Sequence, residues 1–327
     1  MSGPRKQPPP STTLLNLPND VLQREIGKKL DPQSASHLAQ ASTGARSIFQ
    51  SQLSIVKDYV QPLLNHIVKG ELTQADQLLQ QLQQQDDYLL QQVLNYQGKV
   101  TDPSGRTFTG ITVLQYALWA YDRFAWETLK PYMNPQDMLD QLNELETTGV
   151  DYIYQGQKVQ HQHHYDFQPL LDVYESYINY VTSAQVDWTE TDRCWVHEVG
   201  EKQKGVPWPV AAEYCSSQPF VDQHGQPPAF NQRPQFPKQA RGAQIYNYLI
   251  DQWQDFFSGD LGVSIAIYKA AARAFGRPRR GGWGARGGAL AAFDRAAIAA
   301  LCETRKSDLA ALRNALHAEV AAQYRPR

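Results

Sequence analysis

The stretch from Leu17 to Phe49 constrains the local fold more than any other, because proline and acidic residues punctuate two apolar stripes of helical period within a short run. Pro18 suits the first turn of a helix, where its missing N–H leaves nothing unsatisfied. Asn19 and Asp20 place polar and negative groups at the positive end of that helix. Val21, Leu22, Ile26 and Leu30 then recur on one helical face. Asp31-Pro32 ends the helix, since proline pushes the residue before it out of the α region. Ser34 is placed to cap a second helix, whose stripe is Leu38, Ala41, Ala45 and Ile48. Two helices this short bury too little surface to stand alone. They need a third helix or a partner.

The order and spacing of Leu17-Pro18, Val21-Leu22, Ile26, Leu30, Asp31-Pro32, Leu38, Ala41-Ser42 and Arg46 resemble an F-box. That is the small helical module that docks a protein onto the Skp-type adaptor of a cullin ubiquitin ligase. The resemblance implies that Leu17, Pro18, Val21, Leu22, Ile26, Leu30 and Leu38 form the adaptor-binding face. It further implies a Skp-type adaptor and a cullin ligase as partners, and an unknown target protein held elsewhere on the chain. Ala35 stands where the family has a larger aliphatic, and Ala45 where it often has tryptophan. Both changes shrink the apolar face offered to the adaptor. The plain alternative is a helical hairpin that caps the domain behind it.

Beyond the hairpin, apolar residues keep a helical period through most of the chain. Residues 52–70 read as a helix on Leu53, Val56, Val60, Leu63, Leu64, Ile67 and Val68, with Pro62 expected to kink it. The Gln-rich segment after it reads as two helices broken near Asp86-Asp87, because its leucines stay in register. Asp102-Pro103-Ser104-Gly105 is a turn signal, and Thr112 is placed to cap a helix. Turn, short helix and second helix, with Thr112-Val113-Leu114-Gln115-Tyr116-Ala117 opening the first, resemble one ankyrin unit. A poorer unit ends near Leu78-Leu79. Such repeats need about three copies to bury a continuous core, so a degenerate ankyrin-like element is expected rather than an array. A helix from Pro135 and a short hairpin over Val150–Val159 follow. Helices are then expected from Pro169, from Thr189 and from Pro207. Residues 216–242 are rich in proline and glutamine and read as a long surface segment.

The sequence therefore predicts a mainly α fold with little β. Its expected parts are a disordered tail (1–13), an F-box-like module (14–50), a helical, ankyrin-like region (51–134), a further helical domain (135–260) and an Ala/Arg/Gly-rich C-terminal region (261–327). The F-box-like start, the segment TDPSGRTFTGITVLQYALWAYD and the entry HHYDFQPL together resemble F-box-bearing effectors of Legionella-type intracellular bacteria. That resemblance runs from about Leu14 to Tyr214 and implies secretion into a host cell and action in the host cytosol.

Composition narrows the chemistry. The net charge is −2, which gives no drive toward nucleic acid or an anionic membrane, and no apolar run is long enough to span a bilayer. The polar, Pro-rich start lacks the apolar core of a secretory signal. Three cysteines, Cys194, Cys215 and Cys302, form neither a metal spacing nor a disulfide framework. A reducing compartment, such as the cytoplasm, is the simple inference.

Four constellations remain. His161, His163, His164 and Asp166 carry metal-binding side chains, but a polar loop is the favoured reading. Cys194 and Cys215 have His197 and His224 nearby in sequence, which keeps a cysteine-dependent enzyme as a less favoured alternative. Tyr116, Trp119, Tyr121, Phe124 and Trp126 are either a peptide-binding face or, as favoured, mostly core. GRPRRGGWGARGG, residues 276–288, interleaves arginine with an aromatic and reads as a solvated linker rather than an RNA or lipid contact. No catalytic residue, metal or cofactor is assigned. The expected function is a non-catalytic, substrate-recruiting ubiquitin-ligase adaptor. The alternative is an ankyrin-like protein-binding module with no ubiquitin link.

Overall fold

The computed structural model describes residues 43–222, 224–247, 249–270 and 284–323. Leu17, Pro18, Val21, Leu22, Ile26, Leu30 and Leu38 lie outside the described residues, as do residues 276–283 of the arginine-rich segment. The first described helix, α1 (Thr43–Val68), is continuous through Pro62 and buries Val56, Val60, Leu63, Leu64, Ile67 and Val68. It therefore crosses the boundary expected at residue 50.

The Gln-rich segment folds as two helices, α2 (Leu72–Gln85) and α3 (Asp87–Leu94), with Asp86 as the break. Asp86 is extended, and its carboxylate accepts the N–H groups of Tyr88 and Leu89. It thus caps the second helix while ending the first. Strands β1 (Gly98–Thr101) and β2 (Thr107–Ile111) follow, joined by the Asp102–Gly105 turn.

Helix α4 (Val113–Trp119) is the centre of the N-terminal half. All seven of its residues are buried, and a helix buried all round must satisfy its polar groups internally. Thr112 and Gln115 do so with a reciprocal capping box. The Gln115 amide also donates to Glu144, and the Thr112 hydroxyl donates to Gln141. Helix α5 (Arg123–Leu129) is capped by Asp122. Helix α6 (Pro135–Thr148) ends at Gly149 and leads straight into β3 (Val150–Tyr154) and β4 (Gln157–Gln162).

Here the expected fold class needs correction. The chain is rich in helix, but it is a mixed α/β fold with two antiparallel sheets among the described residues and not a helical array with little β. Strands β1 to β4 form one antiparallel sheet in sequence order, and Thr107 and Phe108 of β2 pair with Ile153 and Tyr152 of β3. The ankyrin-like element is corrected with it. Its hairpin pairs through β2 with β3, which comes from beyond α6, so it is part of a four-stranded sheet and not of a repeat stack. The pairing is driven from the inner face. Phe108 packs edge-on against Tyr116 and Trp119 and tilts against Tyr152, with centroids 4.9–5.5 Å apart.

Residues 168–204 form α7 (Gln168–Val181), α8 (Trp188–Arg193), a six-residue π-helix (Cys194–Val199) and α9 (Gly200–Lys204). The π turn seats Trp195 flat on Tyr268, with centroids 3.7 Å apart. Helix α10 (Trp208–Cys215) follows, and a second antiparallel pair, β5 (Gln244–Asn247) and β6 (Gln252–Asp255), completes this half. Gln203 is fully buried and fully used. Its amide donates to Tyr174 Oη and the Ile267 carbonyl, and its carbonyl accepts the Ile267 N–H.

The Ala/Arg-rich C-terminus is one 40-residue helix, α11 (Gly284–Gln323), packed on α7, α6 and α5. Ion pairs tie it along its length: Arg295 to Glu175, Arg305 to Glu213, Asp308 to Arg123, Arg313 to Glu146 and Glu319 to Lys130. Only the Arg305–Glu213 pair is fully buried, at 4% and 5% side-chain exposure. Surface pairs contribute little, so among these five it is the one whose disruption is felt, beside the buried apolar face of Ile298, Leu301, Leu309, Leu312 and Leu316. Removing one partner of a buried pair strands the other. Arg305→Met should therefore lower the unfolding free energy by about 3–5 kcal/mol, read by urea denaturation, while Lys306→Met, on an exposed pair, should change it by less than about 1 kcal/mol.

Gly70 gives a second test. It has φ +66°, and a Cβ there would lie 1.6 Å from Trp208 Nε1. Gly105 also has positive φ, +92°, but faces open space. Gly105→Ala should cost about 1 kcal/mol. Gly70→Ala should cost about 1–3 kcal/mol more, with a shift in tryptophan fluorescence as the Trp208 indole is displaced.

Candidate functional site

The turn between β1 and β2 is closed by Asp102. Its carboxylate accepts the Arg106 N–H and the Ser104 hydroxyl, and its backbone exchanges bonds with Arg106 and Gly105. This closure commits the Arg106 side chain to the interior. Arg106 is only 7% exposed. Its guanidinium carbon lies 4.3 Å from the ring centre of Tyr154, 5.4 Å from Tyr165, 5.7 Å from Trp119 and 5.8 Å from Tyr152. Four aromatic faces attract the cation electrostatically. Its Nη1 donates to Ser104 Oγ and, at 2.7 Å, to the Gly205 carbonyl at the end of α9. This bond joins the sheet to the C-terminal half.

Two donors of this cage are left over. Arg106 Nε and Trp119 Nε1 are both buried without a hydrogen-bond partner. No carboxylate among the described residues forms an ion pair with Arg106. Asp102 reaches it only through Ser104 Oγ, and burial raises the Asp102 carboxyl against the pull of Arg106.

A second feature is a cleft lined by Gly70, Asp122, Phe124, Trp208, Arg233, Phe236 and Arg305, among others. Its volume is about 40 Å³, room for about one or two water molecules. Small-molecule pockets are roughly tenfold larger, so the cleft suits a side-chain tip. Burial raises the Asp122 carboxyl, while its bond from the Ala125 N–H and the charges of Arg305 and Arg233 oppose the rise.

The histidines flagged in the sequence are brought to helix ends, not to one another. His161 Nδ1 donates to the Thr148 carbonyl, His163 Nδ1 to Leu145 and His164 Nδ1 to Leu118. Each bonds a carbonyl of the last turn of α6 or α4, where Leu145 and Leu118 also accept the N–H groups of Gly149 and Tyr121. Among the described residues, no group of three or more histidine, cysteine or acidic side chains is placed to hold a metal.

The flagged cysteines are buried. Burial pushes the Cys194 thiol up to about 12, with Glu198 adding to the shift, and also raises Cys215. A nucleophilic thiol needs the opposite shift. Of the aromatic run, Tyr116, Trp119, Tyr121 and Trp126 are core, and Phe124 lines the cleft.

Two buried arginines had little signal in sequence. Arg106 follows the Asp102–Gly105 turn, and Arg305 is one arginine in an Ala-rich helix. A third polar set, Lys269, Asp294 and Glu213, surrounds the start of α11. Burial lowers Lys269 to about 8 and raises Asp294 to about 8 and Glu213 to about 7. The Asp294 carboxylate accepts the N–H groups of Lys269 and Ala270.

His164 supplies a pH test. It stacks on Tyr121, and burial lowers its pKa below 6.5. The unfolded chain then binds this proton at higher pH than the folded one, so the His164 contribution is complete above pH 6.5 and is lost as pH falls through 6.5. Asn supplies an N–H at the Nδ1 position without titrating. The stability difference between wild type and His164→Asn should therefore shrink between pH 7 and pH 5, followed by urea denaturation across that range.

Among the described residues no helix is long and apolar enough to cross a membrane. No solved structure matches this chain. A family model described as the CBUA0006 C-terminal domain matches residues 169–316, from α7 through most of α11. A Coxiella burnetii (strain RSA 493 / Nine Mile phase I) protein, described as uncharacterized protein CBUA0006, is 33% identical over 245 residues, or 68% of this chain and 67% of that protein. At 33% identity over 68% of its length, the chain belongs to the CBUA0006 family.

Proposed function

We propose that this protein is a substrate-recruiting adaptor of a Skp-cullin-F-box type ubiquitin ligase, acting inside a host cell. The observation that carries the reading is the course of α1. Its described part, Thr43–Val68, runs from inside the F-box-like stretch to the core, 26 residues in all. At 1.5 Å per residue it spans about 39 Å. A docking module joined to a target-holding body by an uninterrupted helix would hold the two at a fixed spacing, whereas a flexible joint would not. Tethering then raises the effective concentration of a bound target at the ligase without any chemistry by the adaptor itself.

Two further observations support the reading. The Asp122–Trp208–Arg305 cleft is sized for a side chain of a protein partner. The Coxiella relative comes from an intracellular pathogen, which fits an effector delivered to a host cytosol.

The test is co-purification with a eukaryotic Skp-type adaptor at micromolar concentration. Wild type should give a stoichiometric complex. Leu17→Ala with Pro18→Ala should reduce recovery at least about tenfold, since a few apolar anchors carry most interface energy, with helicity by circular dichroism unchanged. A folded wild-type chain that recovers no adaptor would overturn the proposal and leave a protein-binding module with no ubiquitin link.

A further inference from the structure

The Arg106 cage carries an inference independent of the ubiquitin-ligase reading. A guanidinium removed from water needs an opposing charge or a full set of hydrogen bonds. Arg106 has neither. Nη1 is used by Ser104 Oγ and the Gly205 carbonyl, whereas Nε is buried without a partner and Nη2 makes no hydrogen bond among the described residues. Nε and Nη2 share one edge of the guanidinium, the edge whose two parallel N–H groups match the two oxygens of a carboxylate or phosphate. The Trp119 Nε1–H, on a ring 5.7 Å from the same guanidinium, is a third donor with no acceptor. The walls of the cage add no negative charge at this edge. They are the rings of Trp119, Tyr152, Tyr154 and Tyr165, with Tyr154 the half-buried one. Asp102 lies behind Ser104, on the Nη1 side.

The geometry points to Arg106 and Trp119 as the floor of an oxyanion-binding site, which takes one carboxylate or phosphate group on the Nε–Nη2 edge of Arg106. The half-buried ring of Tyr154 is the wall through which the ligand reaches it. Lysine keeps the charge at this position but presents no paired edge. Phenylalanine at 119 keeps an aromatic ring but removes its N–H.

The experiment titrates the full chain with sodium acetate and, separately, with inorganic phosphate, at constant ionic strength made up with sodium chloride. Tryptophan fluorescence and the thermal midpoint are the readouts, and no Skp-type adaptor is present. Wild type should respond saturably to one of the two. Saturation by acetate assigns a carboxylate source, and saturation by phosphate a phosphoryl source. Arg106→Lys should weaken that response by about tenfold or more, the loss expected for charge-assisted hydrogen bonds. Trp119→Phe should weaken the shift in thermal midpoint by several-fold. Circular dichroism of each variant reports folding, and either folded variant suffices for the comparison. The inference is overturned if folded wild type gives no saturable response to either anion. It is equally overturned if a wild-type response persists undiminished in a folded variant.

Discussion

Burying a guanidinium is costly, and the placement of the longest helix is tied to how that cost is met at Arg305. The side chain leaves α11 and meets Glu213 of α10 at 3.2 Å, Asp308 one turn along its own helix, and the carbonyl of Phe230. Its plane also covers the Phe124 ring of α5, 5.3 Å away. One charged group thereby fixes α5, α10, α11 and the loop at Phe230 relative to one another. Phe230 sits at φ +50°, a backbone region that bulky residues avoid, and its carbonyl is one that Arg305 engages. Glu213 shows the other side of the balance. Burial drives its carboxyl up to about 7 even though Arg305 pulls the other way. The pair fixes position more than it adds net stability, as expected of charges taken out of water.

What the sequence revealed follows from where physical signals are local. Asp86, Thr112, Asp122 and Asn134 sit just before apolar stripes, and each caps the helix after it. Capping needs only the residue and its nearest neighbours, so those boundaries were readable. The four-stranded sheet was readable only in part: the hairpin expected over 150–159 is β3 and β4, but its joining to β1 and β2 was not. Its strands are four to six residues long, and β4, Gln157–Gln162, has no buried position at all. Alternation is the signal for a strand with one buried face, and a strand without a buried face does not carry it. The β2–β3 pairing also joins residues separated by three α-helices, which no local pattern encodes. The π turn at Cys194–Val199 reads as ordinary helix for a related reason: its cause is the fit of Trp195 against Tyr268, seventy-odd positions away.

The candidate sites were still less legible. The histidines drew attention because histidine ligates metals, yet each imidazole answers a helix carbonyl instead. Cysteines with histidines nearby in sequence proved to be packed thiols, since adjacency along the chain says nothing of reach. Arg106, next to a turn signal, and Arg305, in an Ala-rich helix, gave no local sign that they are buried. A buried charge is defined by what folds over it, and that information lies in residues such as Trp119, Gly205 and Glu213, far along the chain.

The two arginines, read together, separate holding from binding. Arg305 shows how this chain satisfies a buried guanidinium whose task is structural: two carboxylates, a carbonyl and one aromatic face. Arg106 is handled differently. A carboxylate, Asp102, lies four positions away, but it is spent on the turn and reaches the guanidinium only through a hydroxyl. The aromatic faces around Arg106 soften its burial without neutralising it, and its Nε edge stays unpaired. A group kept cationic, enclosed and incompletely bonded at the junction of the sheet and the C-terminal half is poorly explained by support alone. It is well explained if the missing acceptor belongs to another molecule, because binding free energy then comes from completing a set of bonds that folding leaves open.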